Sequence, residues 1–230
     1  SLAPGVISAN SFLMSLHLNG AISDRSITDL QIELPAIVIG GGLTGVDTAT
    51  EVQAYYIKQV ERIYDQYTLL AKTTDLNAVF AYVGDDAKLK LFLQHGAEAK
   101  DLRQQALKAE SRPNFSELVQ RWGAVKIVYR KRMQDSPAYK NNYYELEQAQ
   151  KEGVLYMENL SPEEFLLDEN GSARGLQVRN IKDDSVSRIA AKTILFATGS
   201  KPNVAYGFEH AGDIERKSFS YVLYREVDGL

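Results

Sequence analysis

The sequence predicts a three-layer α/β domain with a central parallel sheet, helices on both faces, a β-meander and a helical insertion. Three observations predict it. Residues 36–39 form a short apolar run, typical of a strand buried on both faces, and a glycine turn and a helix follow. A second apolar strand spans 124–129. Residues 164–190 alternate polar and apolar side chains between turn residues, which is typical of a meander.

Composition narrows the class of protein. Hydrophobic residues make up 44% and charged residues 24%, as in ordinary globular domains. The net charge of −4 provides no basic field for nucleic acid or an anionic membrane. The absence of cysteine excludes disulfides and thiolate metal centres within the sequence. No apolar run reaches about 18 residues. We therefore expect a cytoplasmic protein without nucleic-acid or membrane partners.

The first 33 residues predict a connecting segment. A helix is expected from Ser8 or Asn10 to about Gly20, followed by a polar approach to the first strand. The sequence begins without Met and without the basic n-region and apolar h-region of a signal peptide, which suggests a start within a longer chain. We expect it to be a portion of a longer polypeptide.

The glycine turn has the spacing of a dinucleotide-binding loop. Gly40, Gly42 and Gly45 form G-x-G-x-x-G between a strand and a helix, which is the context the motif requires. Gly40 would make the tight turn, Gly42 would let a pyrophosphate approach the backbone, and Gly45 would let helix and strand pack closely. The helix N-terminus would attract the phosphates. These features predict a Rossmann-like dinucleotide site; the alternative is a glycine-rich turn that only connects two elements.

A long helical insertion follows this loop. Helical spacing continues to Leu70, and further helical stretches are expected at about 75–82 and 87–110. Gly45 and Arg130 are 85 residues apart, whereas the motif expects the end of the second strand about 20 residues on. An insertion at about 56–111 accounts for the difference. Its tyrosines and leucines favour a small helical core, with a binding surface as the alternative.

The remaining elements are expected in the order of an α/β domain. Asn114 and Glu117 suggest a cap for a short helix that ends at Gly123. After the second strand, the expected elements are a helix at 142–152, a strand at 154–157, the meander and a last strand at 194–197.

A basic turn follows the second strand. Tyr129 ends the strand, and Arg130, Lys131 and Arg132 follow. In a dinucleotide-binding unit an acidic residue here accepts from the ribose 2′-OH, whereas arginine accommodates a 2′-phosphate. The sequence favours NADP over NAD; a solvated basic turn is the alternative.

Several of these motifs together resemble FAD-dependent oxidoreductases related to the glutamate synthase small subunit. Residues 4–13 are similar to the segment that leaves the family's FAD domain, and residues 40–47 are similar to its second glycine motif. Residues 128–132 are similar to the strand end that holds the 2′-phosphate, and 152–154 with the meander resemble the helix–strand step that follows. Residues 197–203 are similar to the family's alanine-threonine-glycine motif. Leu43 and the insertion depart from the family pattern.

The resemblance implies an NAD(P)H-binding domain at 34–203 and a tail at 204–230, both joined to FAD-binding halves of the same polypeptide. It implies NADPH as cofactor here and FAD in the full-length protein, with no catalytic acid, base or nucleophile in this portion. The implied cofactor-binding residues are Gly40, Gly41, Gly42, Leu43, Thr44, Gly45, Asp47, Tyr129, Arg130, Lys131, Arg132, Ala197, Thr198 and Gly199. For Asp47 a surface carboxylate is the favoured alternative, and Ser136-Pro137 is either a loop near the adenosine or a plain turn.

Two alternatives belong to other classes. A dinucleotide sensor or scaffold could use the inserted helices to bind a partner protein, and an exposed apolar patch there would favour that role. A flavin-free dehydrogenase is the weakest alternative, because no catalytic domain follows the nucleotide fold.

Overall fold

The computed structural model describes residues 2–23, 26, 30–72, 86–199, 216–217 and 220–221. The chain divides into two compact units, Ser1–Thr198 and Gly199–Leu230. The helix expected at about 75–82 and residues 200–203 of the last motif lie outside the described residues.

The described residues of the first unit form eight strands, and five of these strands make up the parallel sheet. In chain order the strands are β1 Val6–Ser8, β2 Ala36–Ile39, β3 Val125–Val128, β4 Leu155–Met157, β5 Leu160–Leu167, β6 Ala173–Asn180, β7 Val186–Ala190 and β8 Thr193–Phe196. The central sheet has the order β1-β8-β2-β3-β4, with Ile37 paired to Lys126 on one side and Ile194 on the other. Strands β5, β6 and β7 form an antiparallel sheet. The predicted α/β class, parallel sheet and meander are therefore confirmed.

The second unit is described only as a two-stranded ribbon. Strands β9 Arg216–Lys217 and β10 Ser220–Tyr221 pair antiparallel.

The helices of the first unit connect these strands. They are α1 Ala9–His17, α2 Leu43–Leu70, α3 Asp86–Lys108, α4 Ser116–Arg121 and α5 Pro137–Lys151, with a 3-10 turn at Met133–Asp135. The Ser8 hydroxyl caps α1 by accepting from the Ser11 N–H. At α4 the Asn114 side chain accepts from the Ser116 N–H, and Phe115 is the N-cap residue. None of the described helices is long and apolar enough to cross a membrane.

Two boundaries differ from the sequence prediction. Helix α5 begins at Pro137 rather than 142, because Ser136 caps it and proline suits the first turn. Asn142 has φ −158° and ψ 77°, so the helix is kinked at the residue where it was expected to begin. Strand β1, which was not predicted, lies within the expected connecting segment and pairs in parallel with β8, Val6 opposite Ile194.

The sheet separates two hydrophobic clusters. Alternate residues of β2 divide between them: Ala36 and Val38 join the helix-bearing cluster, and Ile37 and Ile39 join the cluster shared with the meander. Buried residues of all five helices belong to the first cluster. The described helices all pack on one face of the sheet, contrary to the expected placement on both faces, because the meander covers the second face with Leu176 and Val178.

The predicted insertion contains a helical pair that belongs to the main core, and the two helices run in the same direction, since Tyr56 meets Phe92, Val60 meets Gly96 and Asp65 meets Lys100. Helix α2 runs without interruption from the glycine turn, and α3 packs against it. A Cβ on Gly96 would lie 2.4 Å from the Val60 carbonyl oxygen, so the two backbones are in close contact. The Arg103 side chain binds the buried Glu61 carboxylate across the pair and stacks over the Phe115 ring. Tyr56 is fully buried in the same cluster as the sheet residues.

Candidate functional site

The predicted motifs converge at one edge of the parallel sheet. Gly40 follows β2, Tyr129 follows β3 and Ala197 follows β8, so all three continue from the carboxyl ends of adjacent strands. The chain runs from β2 to β3 on one side, and β8 lies on the other side of β2. Such a reversal of strand order leaves a crevice where open α/β sheets bind their ligands.

Gly40 and Gly45 hold the loop against the sheet. Gly40 has φ +140°, a backbone conformation that favours glycine, and its N–H donates to the Val128 carbonyl at 3.1 Å. A Cβ on Gly40 would lie 2.4 Å from the Ala197 carbonyl oxygen. A Cβ on Gly45 would lie 2.4 Å from the Gly40 carbonyl oxygen. Both glycines are required by close backbone packing.

Gly42 differs from both neighbours in the motif. A Cβ at Gly42 would meet no atom within 4 Å, and its φ of −87° is open to any residue. Gly42 is the N-cap of α2 and provides no side-chain cap. Within the described residues, no acceptor binds the N–H groups of Leu43 or Thr44. The space beside Gly42 therefore adjoins unpaired donors at the positive end of a 28-residue helix.

The opposite wall of the loop is aromatic. The Tyr129 ring lies so close to Gly41 that a Cβ there would fall 2.6 Å from the ring. Tyr129 meets Tyr156 edge to face, with ring centroids 6.4 Å apart. The Gly41 carbonyl accepts from the Ala138 N–H at 3.0 Å, which ties the loop to the first turn of α5. The loop is thus held by the sheet, by Tyr129 and by α5.

The basic turn presents two unpaired cations and one paired cation. Arg130 and Lys131 are exposed, and neither side chain bonds to another described residue. Arg132 makes two hydrogen bonds to the Asp135 carboxylate, with Nε to Oδ2 at 2.8 Å and Nη2 to Oδ1 at 3.2 Å. The sequence analysis did not include this pair, because it depends on the 3-10 turn that brings Asp135 back to Arg132.

The other predicted residues lie around the loop with different exposure. Thr44, Asp47 and Thr198 are exposed, and Leu43 packs partly against the core. Desolvation and the charge of Glu145 raise the pKa of Asp47. Gly199 has φ +104° and belongs to the second unit, so it is described apart from the loop.

Two further residues lie near the site: Ser136, whose role the sequence left open, and Tyr156, which the sequence did not indicate. Ser136 is fully buried, and its hydroxyl accepts from the Tyr139 N–H at 3.1 Å. This places Ser136-Pro137 at the start of α5, beside the glycine loop. The Tyr156 hydroxyl is enclosed and has no hydrogen-bond partner in the described part of the chain, and burial raises its pKa to about 12. Tyr156 lies within the strand predicted at 154–157, and that position gives no sign of an enclosed hydroxyl.

The site has the chemical groups of an anion-binding site. Loop N–H groups, a helix N-terminus and exposed cations bind phosphate groups. Within the described stretches 2–23, 26, 30–72 and 86–199, no group of three or more histidine or carboxylate side chains is arranged to hold a metal ion.

Comparison with known proteins gives distant similarities. No protein-family model matches the chain. The chain is 29% identical over 244 residues to the uncharacterized protein RP006 of Rickettsia prowazekii (strain Madrid E). That alignment covers 96% of this chain and 32% of the relative, so the chain spans about a third of the relative's length.

Similar solved structures include several reductases. Thioredoxin reductase from Giardia duodenalis is 12% identical with a TM-score of 0.44, over 97% of this chain and 44% of that one. Thioredoxin reductase from Lactococcus lactis is 14% identical with a TM-score of 0.40, over 90% and 40%. A ferredoxin reductase from Rhodopseudomonas palustris is 11% identical with a TM-score of 0.38, over 79% and 27%. These TM-scores, all 0.44 or lower, are too low to assign a fold by similarity. The fold is defined instead by the strand order and registers of the sheet.

Proposed function

We propose that this chain is the NADPH-binding portion of a flavin-dependent oxidoreductase. It holds NADPH for hydride transfer to FAD, which is bound by parts of the polypeptide outside this chain. The relative from Rickettsia prowazekii, about three times as long as the stretch it shares with this chain, leaves room for such parts.

The observation that carries the proposal is the division of roles among three glycines. Gly40 and Gly45 are fixed by contacts with backbone atoms, whereas Gly42 faces open space beside unpaired N–H groups. A turn that only connected two elements would not need a glycine at position 42, because the backbone there is in an ordinary extended conformation. A dinucleotide needs it, since the pyrophosphate must approach the backbone closely.

The residues present fit one nicotinamide dinucleotide. Leu43 and Thr44 would donate their N–H groups to the pyrophosphate, and the dipole of α2 would favour its charge. Arg130 and Lys131, exposed after β3, would bind the 2′-phosphate. Bound NADPH supplies the hydride, and the protein supplies binding and orientation.

The sequence contains one G-x-G-x-x-G motif, at 40–45. One such loop serves one dinucleotide, so the FAD of the proposal belongs to the rest of the polypeptide. The family resemblance, in which the FAD domain is divided by the NAD(P)H domain, supports this arrangement.

The scaffold alternative has less support. Its expected feature was an apolar surface on the inserted helices, but the apolar side chains Tyr55, Tyr56 and Phe92 are buried in the core. Leu91 and Leu107 are exposed at positions far apart on α3, and Leu69 and Leu70 are exposed at the end of α2. A few exposed leucines are common on globular proteins and do not amount to the extended apolar patch that a docking surface needs. A partner at the helical pair stays a prediction.

Calorimetric titration of the chain with NADPH, NADH and FAD at low salt tests the proposal. We expect NADPH to bind and FAD not to bind. Arg130→Ala should weaken NADPH binding about 10- to 100-fold, since an arginine hydrogen bond to phosphate contributes about 1.5–3 kcal/mol.

Arg188→Ala is the matched control, because it removes an exposed arginine from the meander strand β7. It should leave NADPH binding unchanged. Failure of every dinucleotide to bind would contradict the proposal. Equal losses in Arg130→Ala and Arg188→Ala would contradict the role of the basic turn.

A further inference from the structure

The guanidinium group of Arg132 is already hydrogen-bonded to the carboxylate of Asp135 in the same turn. Its Nε and Nη2 atoms donate to the two oxygens of Asp135 at 2.8 and 3.2 Å. This two-bond geometry is the one in which arginine binds carboxylate or phosphate. Asp135 therefore occupies the place that a ribose 2′-phosphate would take on Arg132.

The surroundings keep Asp135 charged. Its pKa is lowered by the hydrogen bond from Arg132 and by the charges of Arg132, Lys140 and Lys131. A second carboxylate lies beside the same turn, where Glu158 Oε1 accepts from the Met133 N–H at 2.7 Å. The turn after β3 thus holds two carboxylates as well as three cations.

We propose that Asp135 is a specificity-determining residue of the dinucleotide site, one that competes with the 2′-phosphate for Arg132 and so narrows the preference for NADPH over NADH. This inference rests on the proposed function. It adds a residue whose effect opposes that of Arg130 and Lys131.

The competition follows from charge. To bind Arg132, the 2′-phosphate must displace the Asp135 carboxylate and then lies near an unpaired negative charge. A ribose with a free 2′-hydroxyl leaves the Arg132–Asp135 pair intact and can donate to a carboxylate oxygen, as in NAD-specific sites. The pair is partly exposed, with 59% of the Arg132 and 38% of the Asp135 side chain accessible, so it can exchange partners.

The test is calorimetric titration of the unaltered chain and three variants with NADPH and with NADH. Asp135→Asn should tighten NADPH binding about 3- to 10-fold, the range for one charged contact in a partly exposed site. Its NADH binding should stay equal or weaken. Asp135→Glu keeps the charge and should keep the native ratio of the two affinities.

Asp101→Asn is the matched control, because it removes one exposed carboxylate from α3, where Asp101 accepts a hydrogen bond from Gln105 of the same helix. It should leave the ratio unchanged. An unchanged ratio in Asp135→Asn, or an equal shift in Asp101→Asn, would overturn the inference while the proposed function stands. No binding of either dinucleotide to the unaltered chain would overturn the proposed function and this inference with it.

Discussion

Gly45 on α2 lies directly against Gly40 at the end of β2. A Cβ on Gly45 would fall 2.4 Å from the Gly40 carbonyl oxygen, so the helix and the strand meet through their backbones. Three residues earlier, Gly42 faces open space. The same motif therefore contains glycines required by the fold and a glycine available to a ligand.

Substitutions at these two glycines should separate stability from binding. Gly42→Val should lower the thermal midpoint only slightly, because no atom lies within 4 Å of the new Cβ and the expected cost is that of a poorer N-cap residue for α2. It should reduce NADPH affinity more than tenfold by filling the proposed phosphate position. Gly45→Ala should lower the free energy of unfolding by about 1–3 kcal/mol, the usual cost of overpacking. Thermal unfolding and calorimetry measure both effects, and a destabilised Gly42→Val that binds NADPH normally would refute the assignment.

Gly96 should be equally intolerant of a side chain. A Cβ there would lie 2.4 Å from the Val60 carbonyl oxygen and 2.6 Å from the Tyr64 Cβ, so Gly96→Ala must separate α2 from α3. We expect a loss of about 1–3 kcal/mol in urea unfolding. Leu107→Ala, on the same helix but 78% exposed, is the control and should change stability by less than about 0.5 kcal/mol. Comparable losses in the two variants would contradict the close contact.

His95 should make the protein less stable in acid. The Tyr56 hydroxyl oxygen lies 2.7 Å from Nδ1, and the imidazole stacks on Trp122 with centroids 4.4 Å apart. Burial lowers the pKa of His95 from 6.5 to about 4, against the opposing charge of Glu98. The unfolded chain therefore binds a proton more readily, and stability present above about pH 6.5 is lost as the pH falls towards 4.

The loss assigned to His95 is on the order of 3 kcal/mol over this pH range. Urea unfolding at several pH values should show a smaller decrease for His95→Gln than for the unaltered protein. His17→Gln, which changes an exposed histidine, should retain the full decrease. If His95→Gln and the unaltered protein lost stability in parallel, the buried neutral histidine would not be its source.

Tyr156→Phe should stabilise the protein without ligand. The hydroxyl is enclosed and unpaired among the described residues, so removing it relieves a desolvation cost of roughly 1 kcal/mol. Tyr143→Phe, at an exposed tyrosine of α5, is the control. Urea unfolding compares the two. A loss of stability in Tyr156→Phe would show that the hydroxyl has a hydrogen bond, for which the buried Ser136 is the candidate, because its side chain acts to lower the pKa of Tyr156 against the larger effect of burial.

Much of the fold could be predicted because its elements have strong local patterns. The apolar run at β2, the glycine turn and the helical spacing of α2 and α3 are all local. Strand β1 could not be predicted, since three residues have no periodicity and their strand conformation depends on pairing with β8. The start of α5 was signalled by Ser136 and Pro137, but its polar first turn lacks an apolar stripe.

The candidate site could be predicted in position but not in its electrostatics. Spacing alone identified Gly40, Gly42 and Gly45, because the roles of these glycines are local to the turn. The pairing of Arg132 with Asp135 depends on a 3-10 turn, and the enclosed hydroxyl of Tyr156 depends on packing between separate elements. Such tertiary contacts leave no spacing rule in the sequence.

The unbroken length of α2 gives the site a mechanical property. The helix has 28 residues, begins at the glycine loop and ends at Leu70, which makes it a rod about 42 Å long at 1.5 Å per residue. A tilt of about 5° at its first turn would displace its far end by about 3.7 Å. Because Val46, Val52 and Tyr55 of α2 are buried with residues of the sheet, such a tilt would also have to move the core, so the glycine loop and the helical pair are mechanically coupled through one helix.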